Sequence, residues 1–370
     1  MSILARLAIP PARLPWGPAL LVIVAACASD GPDAGAAVPA ARLTVGRVAE
    51  LRIGDGPVLA SAHSLTAMAD GRVLVGDQSD RAVKVFGRDG VQAPPIGRAG
   101  AAPGEFALLN SSGALGDSAF GWDSRANRVT VFDPSGRYVR SFPVRQPGSP
   151  RFVRLRVMDD SLLVGSGWVM GAHDQPLVEV FDRTGRRVGR MAQMKEVFSP
   201  PDVHLLPHTA AYADGREGVV FTTIHGVDTI FAHTADGRLL GTGRVDLADH
   251  EPVLDLRRLL RRNGGSLQRR DSSWVQDGHY APMGLVALSG DLVAVQFAKL
   301  DFADNTDLLS DGGPVVLLRL LPDGTFRNVG QVQAPGALLG RNAEGNPLVL
   351  RWSGADLERL ELFRLLVQPS

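Results

Sequence analysis

Short apolar stretches separated by polar turns recur along most of the chain. Each copy contains an apolar strand, an Asp/Gly turn, a second strand, a loop, a third strand that ends in an aromatic residue, and a turn that ends in glycine. Four of these aromatic residues lie 46, 49 and 50 residues apart, namely Phe86, Phe132, Phe181 and Phe231. A repeat of this length with three or four short strands is typical of a β-propeller blade. The pattern therefore predicts an all-β fold.

Two later copies of the repeat bring the predicted number of blades to six. Leu320 fills the aromatic position of the fifth copy, 89 residues after Phe231, so a long insertion precedes it. Phe363 fills that position in the sixth copy, and only seven residues follow it, too few for an outermost strand. Residues 45–53 can supply this strand and close the ring, which removes exposed sheet edges. We therefore predict a six-bladed β-propeller over residues 43–370, closed by an amino-terminal strand.

The insertion between blades four and five, about residues 249–280, has a different pattern. Asp249 is a suitable amino-terminal cap for a helix, Pro252 fits its first turn, and Gly264 follows its last turn. At helical spacing the leucines share one face, and the opposite face carries Arg257, Arg258, Arg261 and Arg262. The sequence therefore predicts one helical insertion.

A glycine-rich segment and a Pro-Gly-Glu-Phe turn lie between the first two blades. The matching residues are Gly97, Gly100, Pro103, Gly104, Glu105, Phe106, Asp123, Phe132, Asp133 and Gly136. This pattern resembles the NHL repeat. The resemblance covers about residues 44–366 and is strongest in the first two blades. It implies a propeller, and it specifies architecture far better than activity.

The amino terminus carries Arg6 and Arg13, then an apolar run over residues 19–26, then Cys27, the single cysteine of the chain. The run is too short to span a bilayer and is typical of a signal peptide, here residues 1–26. The sequence Val-Ala-Ala-Cys at 24–27 resembles the bacterial lipobox, which implies lipidation of Cys27. An ordinary signal peptide with a chance cysteine is the alternative.

Residues 27–42 are small, rich in alanine and contain glycine and proline, which is typical of a flexible tether. Ala28 rather than aspartate follows the cysteine, and by the same resemblance this favours the outer membrane, with the domain facing the periplasm. The chain has 39 basic and 39 acidic residues, so its charge offers no general attraction to nucleic acid. We therefore expect the membrane as a partner through the lipid, and no nucleic acid.

Histidines are the first candidates for chemistry, because propellers related to the NHL repeat include a zinc-dependent lyase that uses channel histidines. His63 and His208 fall near the starts of innermost strands, and His225 lies in a loop of the same face. The equivalent positions of blades two and five hold Asn110 and Pro282, which depart from the lyase pattern. Scattered structural histidines are the alternative, and no metal or other cofactor is predicted.

Other catalytic signatures are missing from the sequence. There is no GxSxG, HExxH or SxxK motif, and the aspartate-rich stretch at 301–313 lacks the spacing of an EF-hand loop. A metal-dependent lyase or hydrolase with its site at the channel mouth therefore remains only the alternative function. The sequence favours a non-enzymatic propeller that binds a small ligand or an envelope protein.

The longest and least regular loops are predicted on one face, where each outer strand leads to the next innermost strand. Irregular loops on a rigid scaffold commonly build binding sites. The alternative is that the insertion only plugs the channel. The candidate ligand-binding residues on this channel-mouth face are His63, His208, His225, Arg257, Arg261, Trp274 and Tyr280.

Overall fold

The computed structural model describes residues 42–53, 59, 61–144, 151–169, 176–193, 209–247, 253, 255, 279–299, 311–353 and 359–368. The elements among them are 26 β-strands, so the all-β prediction is confirmed. Within these ranges no helix has both the length and the apolar character needed to cross a membrane.

In chain order the first thirteen strands are β1 (Arg42–Arg52), β2 (Ala62–Ala67), β3 (Val73–Asp77), β4 (Ala82–Phe86), β5 (Gln92–Ile96), β6 (Arg98–Ala99), β7 (Glu105–Phe106), β8 (Leu109–Leu115), β9 (Ser118–Asp123), β10 (Arg128–Phe132), β11 (Tyr138–Pro143), β12 (Arg151–Met158) and β13 (Leu162–Val169). The others are β14 (Pro176–Asp182), β15 (Arg187–Gln193), β16 (Thr209–Arg216), β17 (Val219–Ile224), β18 (Thr229–Thr234), β19 (Leu239–Arg244), β20 (Tyr280–Ala287), β21 (Leu292–Lys299), β22 (Gly313–Leu320), β23 (Phe326–Ala334), β24 (Ala337–Arg341), β25 (Pro347–Ser353) and β26 (Arg359–Gln368).

Antiparallel ladders join strands that follow one another along the chain. The four-stranded groups are β2 to β5, β8 to β11, β12 to β15, β16 to β19, β20 to β23, and β24 to β26 with β1. Innermost strands start the groups and contact one another in the cyclic order β2, β8, β12, β16, β20, β24 and again β2. A cyclic arrangement of antiparallel sheets around their first strands is a β-propeller.

The amino-terminal strand β1 completes the last group. It pairs antiparallel with β26 along its length, with Leu43 opposite Val367 and Leu51 opposite Leu360. The sequence predicted this strand from the shortage of residues after Phe363, and the pairing is confirmed. The pairing covers the outer edge of β26 and one edge of β1.

Burial falls from the centre of each sheet to its outer strand. All five residues of β3 and all five of β4 are buried, because both faces of these strands meet a neighbouring sheet. The outer strand β11 is mostly exposed. Aromatic residues fill the space between sheets: the Phe152 and Phe181 rings meet edge to face, with centroids 5.4 Å apart.

Buried polar side chains tie neighbouring innermost strands together. The Ser112 amide donates to Ser64 Oγ at 2.9 Å, and the Leu155 amide donates to Ser111 Oγ at 2.9 Å. These bonds link β2 to β8 and β8 to β12. They satisfy polar groups inside the ring and leave the innermost strands firmly positioned.

The repeated Asp-x-Ser/Thr-Gly turns join third and fourth strands on the outer side of the sheets. In one of them Asp182 Oδ1 accepts hydrogen bonds from the Thr184 amide at 2.9 Å and the Thr184 hydroxyl at 2.6 Å. Gly185 has φ of 83°, and a Cβ there would lie 1.9 Å from the Pro143 carbonyl oxygen. Only glycine fits this turn without moving the backbone.

Several predicted segments lie outside the described residues. These are the signal peptide, the tether with Cys27, and nearly all of the predicted helix, of which only Val253 and Asp255 are described. Val253 forms an isolated bridge with Tyr280 at the start of β20, and neither Val253 nor Asp255 is helical, so the prediction of a helix is wrong at these two positions. β13 extends to Val169, and its last two residues pair with β16.

Candidate functional site

A cavity of about 520 Å³ opens where five innermost strands end. We call it the carboxyl-end cavity. Its walls come from the last residues of β2, β8, β12, β16 and β24 and from the turns that follow them. Side chains at the ends of several strands can converge on one ligand while the sheets hold their positions.

Charged side chains dominate the polar part of this wall. Its basic residues are Arg156, Arg216 and Arg341, and its acidic residues are Asp117, Asp159, Asp160, Asp214 and Glu217. Asp117, Asp159, Asp160 and Glu217 are exposed at the turns, whereas Asp214 is 3% exposed. The cavity therefore has an acidic mouth and a deeper region where arginines predominate.

The side chain of Arg341 lies at the base of this cavity and reaches other innermost strands of the ring. From β24 its Nη1 donates to Asp214 Oδ2 at 3.1 Å and to the Ala287 carbonyl at 2.9 Å. Its Nη2 donates to the carbonyls of Val157 at 2.7 Å and Gly215 at 3.1 Å. One side chain thus connects β24 to β12, β16 and β20, and all four protons of its two terminal amino groups are used.

Asp214 is the buried partner of Arg341. Its Oδ2 also accepts a hydrogen bond from the Ala287 amide at 3.1 Å, and its Oδ1 accepts one from the Gly215 amide at 2.9 Å. A buried carboxylate needs such compensation for the water it loses. The Arg341–Asp214 pair is therefore a fixed part of the scaffold.

Arg156 lies beside this pair and differs from it. It has no hydrogen bond or ion pair within the described part of the chain. Burial lowers the pKa of its guanidinium to about 10; Asp214 opposes this shift, and Arg154 and Arg341 add to it. A Cβ built on Gly340 would lie 3.6 Å from Arg156 Nη1, so the side chain reaches from β12 to β24.

A second cavity of about 20 Å³ lies further toward the starts of the innermost strands. Arg156 lines both this inner cavity and the carboxyl-end cavity. The other walls of the inner cavity include His63 from β2, Arg154 from β12 and Tyr212 from β16. The Arg154 guanidinium carbon lies 4.2 Å from the centroid of the Tyr212 ring, a cation–π contact.

His63 is half-buried in this inner cavity. Its Nδ1 lies 3.2 Å from the Ser61 carbonyl oxygen, to which it donates, and its Nε2 is buried with no hydrogen-bond partner among the described residues. Burial lowers its pKa to about 4, with a smaller contribution from Arg154 and Arg156, while the Ser61 bond opposes the shift. His63 is therefore neutral at pH 7.

The structure describes three of the seven predicted ligand-binding residues. His63 lines the inner cavity, Tyr280 is half-buried at the start of β20, and His225 lies in the turn after β17. Burial lowers the pKa of His225, and a hydrogen bond to the Pro282 carbonyl opposes this. His208, Arg257, Arg261 and Trp274 lie outside the described residues, so their placement stays a prediction.

The described residues contain no group of three His, Cys, Asp or Glu side chains that could hold a metal ion. The predicted zinc alternative depended on His63, His208 and His225, and only the first and last of these are described. Neither is placed in a metal-binding group, and His63 and His225 have their own backbone partners in Ser61 and Pro282.

The main residues of the carboxyl-end cavity were not among the predicted site residues. Arg154 and Arg156 do give a signal in the sequence, because they alternate with apolar residues in a strand that the repeat places innermost. Residues i and i+2 of a strand share a face, so both arginines belong on one side of the sheet. Asp214 could not be recognised as a cavity residue because Asp-Gly normally indicates a turn. Here β16 continues through this dipeptide to Arg216.

Comparison with known proteins finds structures that are similar to this chain. Neither a protein-family model nor a curated protein sequence matches the chain. A member of the DUF4221 family from Bacteroides vulgatus ATCC 8482 superposes with a TM-score of 0.61 at 9% identity, covering 90% of this chain and 100% of the other. A candidate exported protein from Bacteroides fragilis NCTC 9343 gives 0.55 at 12% identity, covering 88% and 95%. At such low identity these likenesses show a shared fold alone.

Proposed function

We propose that this chain is a cell-envelope lipoprotein whose β-propeller binds a small ligand in the carboxyl-end cavity. The observation that carries the proposal is the cavity itself, about 520 Å³ in volume and walled by five innermost strands. Pockets for small molecules typically have volumes of about 300–1,000 Å³. The Arg341–Asp214 pair fixes the base of the cavity, so little order has to be gained when a ligand enters.

The proposal takes the propeller to be a closed ring of six blades over residues 43–370. The cyclic contacts among β2, β8, β12, β16, β20 and β24 support this number, with one four-stranded group for each innermost strand. The pairing of β1 with β26 supports closure by the amino-terminal strand. The proposal includes one helical insertion, between blades four and five.

The location in the envelope rests on the amino-terminal sequence. The apolar run at 19–26 and Cys27 support export and lipid attachment, with residues 27–42 as the tether and the outer membrane as destination. The fold shared with a candidate exported protein of Bacteroides fragilis is in keeping with export. Replacement of Cys27 by Ala should release the protein from membrane pellets and abolish fatty-acid labelling. Unchanged labelling of the variant would refute lipid attachment.

Blocking the mouth of the carboxyl-end cavity tests the ligand-binding proposal. Ala343 lines the cavity and is exposed, so Ala343→Trp should obstruct entry without disturbing the core. Ala126 is exposed in the turn after β9, at the opposite ends of the innermost strands, and Ala126→Trp is the matched control. Both variants should unfold at the wild-type temperature in the absence of ligand.

The measurement is a thermal-shift screen of small metabolites against the wild type and both variants. We expect compounds that raise the melting temperature of the wild type and of Ala126→Trp but not of Ala343→Trp, because a ligand stabilises the folded state only when it binds there. If every stabilising compound acts equally on Ala343→Trp, the ligand site lies elsewhere and the proposal is wrong.

A further inference from the structure

Positive charge exceeds negative charge where the carboxyl-end cavity meets the inner cavity. Arg154, Arg156 and Arg341 approach this point, and Asp214 is the acidic group that acts on Arg156 there. His63 adds no charge at pH 7, since burial keeps its ring neutral. The three arginines and the one aspartate at this junction therefore leave an excess of two positive charges.

Two of the three guanidinium groups already have partners. Arg341 is saturated by Asp214 and by three backbone carbonyls. Arg154 stacks on the Tyr212 ring. Arg156, in contrast, has no partner in the described residues, and it lines both cavities. A partly buried charge without a hydrogen-bonded partner is costly, and an incoming anion would lower that cost.

We propose that Arg156 binds an oxyanion group, a carboxylate or a phosphate, of the small molecule that occupies the carboxyl-end cavity, and that Arg154 strengthens this binding from the inner cavity. The inference rests on the proposed function and names the chemical class of its ligand. A guanidinium offers two parallel N–H donors to a carboxylate or phosphate, which gives both charge and geometric recognition.

The acidic mouth of the cavity does not cancel this preference. The Asp159 carboxylate accepts hydrogen bonds from the amides of Glu217 at 2.8 Å and Gly218 at 2.9 Å, and Glu217 Oε2 accepts one from the Gly290 amide at 2.9 Å. All the mouth acids are exposed, so water and salt screen them. Arg156 is only half-exposed, and its field at the base of the cavity is screened less.

The test uses the full-length protein and titration calorimetry at constant ionic strength. The probes are inorganic phosphate and succinate, one for each oxyanion chemistry, with the chloride salt as blank. Wild-type protein is compared with Arg156→Gln and with Arg125→Gln, in which an exposed arginine in the turn after β9 loses the same charge. We expect Arg156→Gln to weaken binding of at least one probe by about tenfold to a hundredfold, and Arg125→Gln to leave it unchanged.

The His63 ring gives a readout that does not depend on ligand affinity. Because Arg156 helps to lower the pKa of His63, Arg156→Gln should raise that pKa from about 4, as measured by NMR titration of the ring proton. Saturation of the wild type with the bound probe should raise it as well, since an anion at Arg156 offsets the same charge. In the variant, a value that rises but stays below the ordinary 6.5 would show that the ring is still buried, and a rise in the wild type on probe binding would place the anion beside His63.

Two results would overturn the inference. Binding of both probes with equal affinity to wild type and Arg156→Gln would show that Arg156 is not the anion site. Absence of binding of either probe, with metabolites in the thermal screen still sensitive to Ala343→Trp, would show that the cavity binds ligands of another chemistry. The proposed ligand-binding function fails only when no compound is sensitive to Ala343→Trp, so the two failures can be told apart.

Discussion

Two arginine–aspartate pairs in this propeller differ in their exposure to water. Arg341 and Asp214 meet at 3.1 Å inside the ring, with side chains 18% and 4% exposed. Arg186 and Asp182 meet at 3.0 Å in an outer turn, with side chains 78% and 24% exposed. The distances are alike, but water surrounds only the second pair. Burial, rather than contact distance, therefore decides how strongly each pair affects stability.

The largest effect is expected from breaking the inner pair. Asp214→Ala removes the carboxylate, leaves Arg341 charged without its counter-ion, and leaves the Ala287 amide without its acceptor. Loss of one member of a buried pair typically lowers the free energy of unfolding by about 3–5 kcal/mol. Urea denaturation of the full-length protein measures this change.

A double variant separates the cost of an unpaired charge from the value of the pair. In Asp214→Leu with Arg341→Met the Arg341 guanidinium is no longer buried without its carboxylate, so part of the lost stability should return. If the double variant is less stable than Asp214→Ala, the many hydrogen bonds of Arg341 matter more than its charge. A wild-type denaturation midpoint for Asp214→Ala would show that the inner pair contributes nothing to stability.

A small effect is expected from the outer pair, and it should depend on pH. Hydrogen bonds from Thr184 and then from Arg186 hold the pKa of Asp182 at about 2, below its ordinary value of 3.8. A depressed carboxyl pKa stabilises the folded state above the ordinary value, and this contribution is lost as the pH falls toward 2. Asp182→Asn should therefore lower the free energy of unfolding at pH 7 by no more than about 1 kcal/mol.

Melting curves of wild type and Asp182→Asn at pH 7 and near pH 2 measure this difference. The two proteins should differ at pH 7 and converge in acid, and raised salt should narrow the gap at pH 7 because the pair is exposed. A gap that persists at pH 2 would assign the effect to the turn geometry instead of the carboxylate charge.

The fold was predictable because each repeat carries its own local signal. The buried residues Phe86 and Phe132 end third strands as their spacing predicted, and Phe181 lies one residue before the end of its strand. Phe231 departs from the pattern, because it is half-buried inside β18. Asp123 belongs to the predicted repeat pattern. Its carboxylate accepts hydrogen bonds from the amides of Ala107 at 2.6 Å and Leu108 at 3.2 Å and so holds the segment that leads into the blade. Signals of this kind join residues within one blade, so a single sequence is enough to find them.

The carboxyl-end cavity was not predictable in the same way. Arg341 and Asp214 are 127 residues apart, and no spacing rule links them. Their contact exists only because the ring brings β24 and β16 toward a common axis. The predicted ligand site lay at the irregular loops of the channel mouth, whereas the carboxyl-end cavity lies at the other ends of the innermost strands. Short turns, rather than long loops, form its mouth.

The pairing of β1 with β26 also affects the order in which the protein can be completed. Arg42 lies opposite Gln368, so β1 needs a partner that leaves the ribosome 326 residues later. Until then β1 has no strand to pair with, and an open strand edge invites pairing with other chains. If the chain is exported, its biogenesis must therefore shield an unpaired strand during translation and translocation, and only synthesis of β26 ends that exposure.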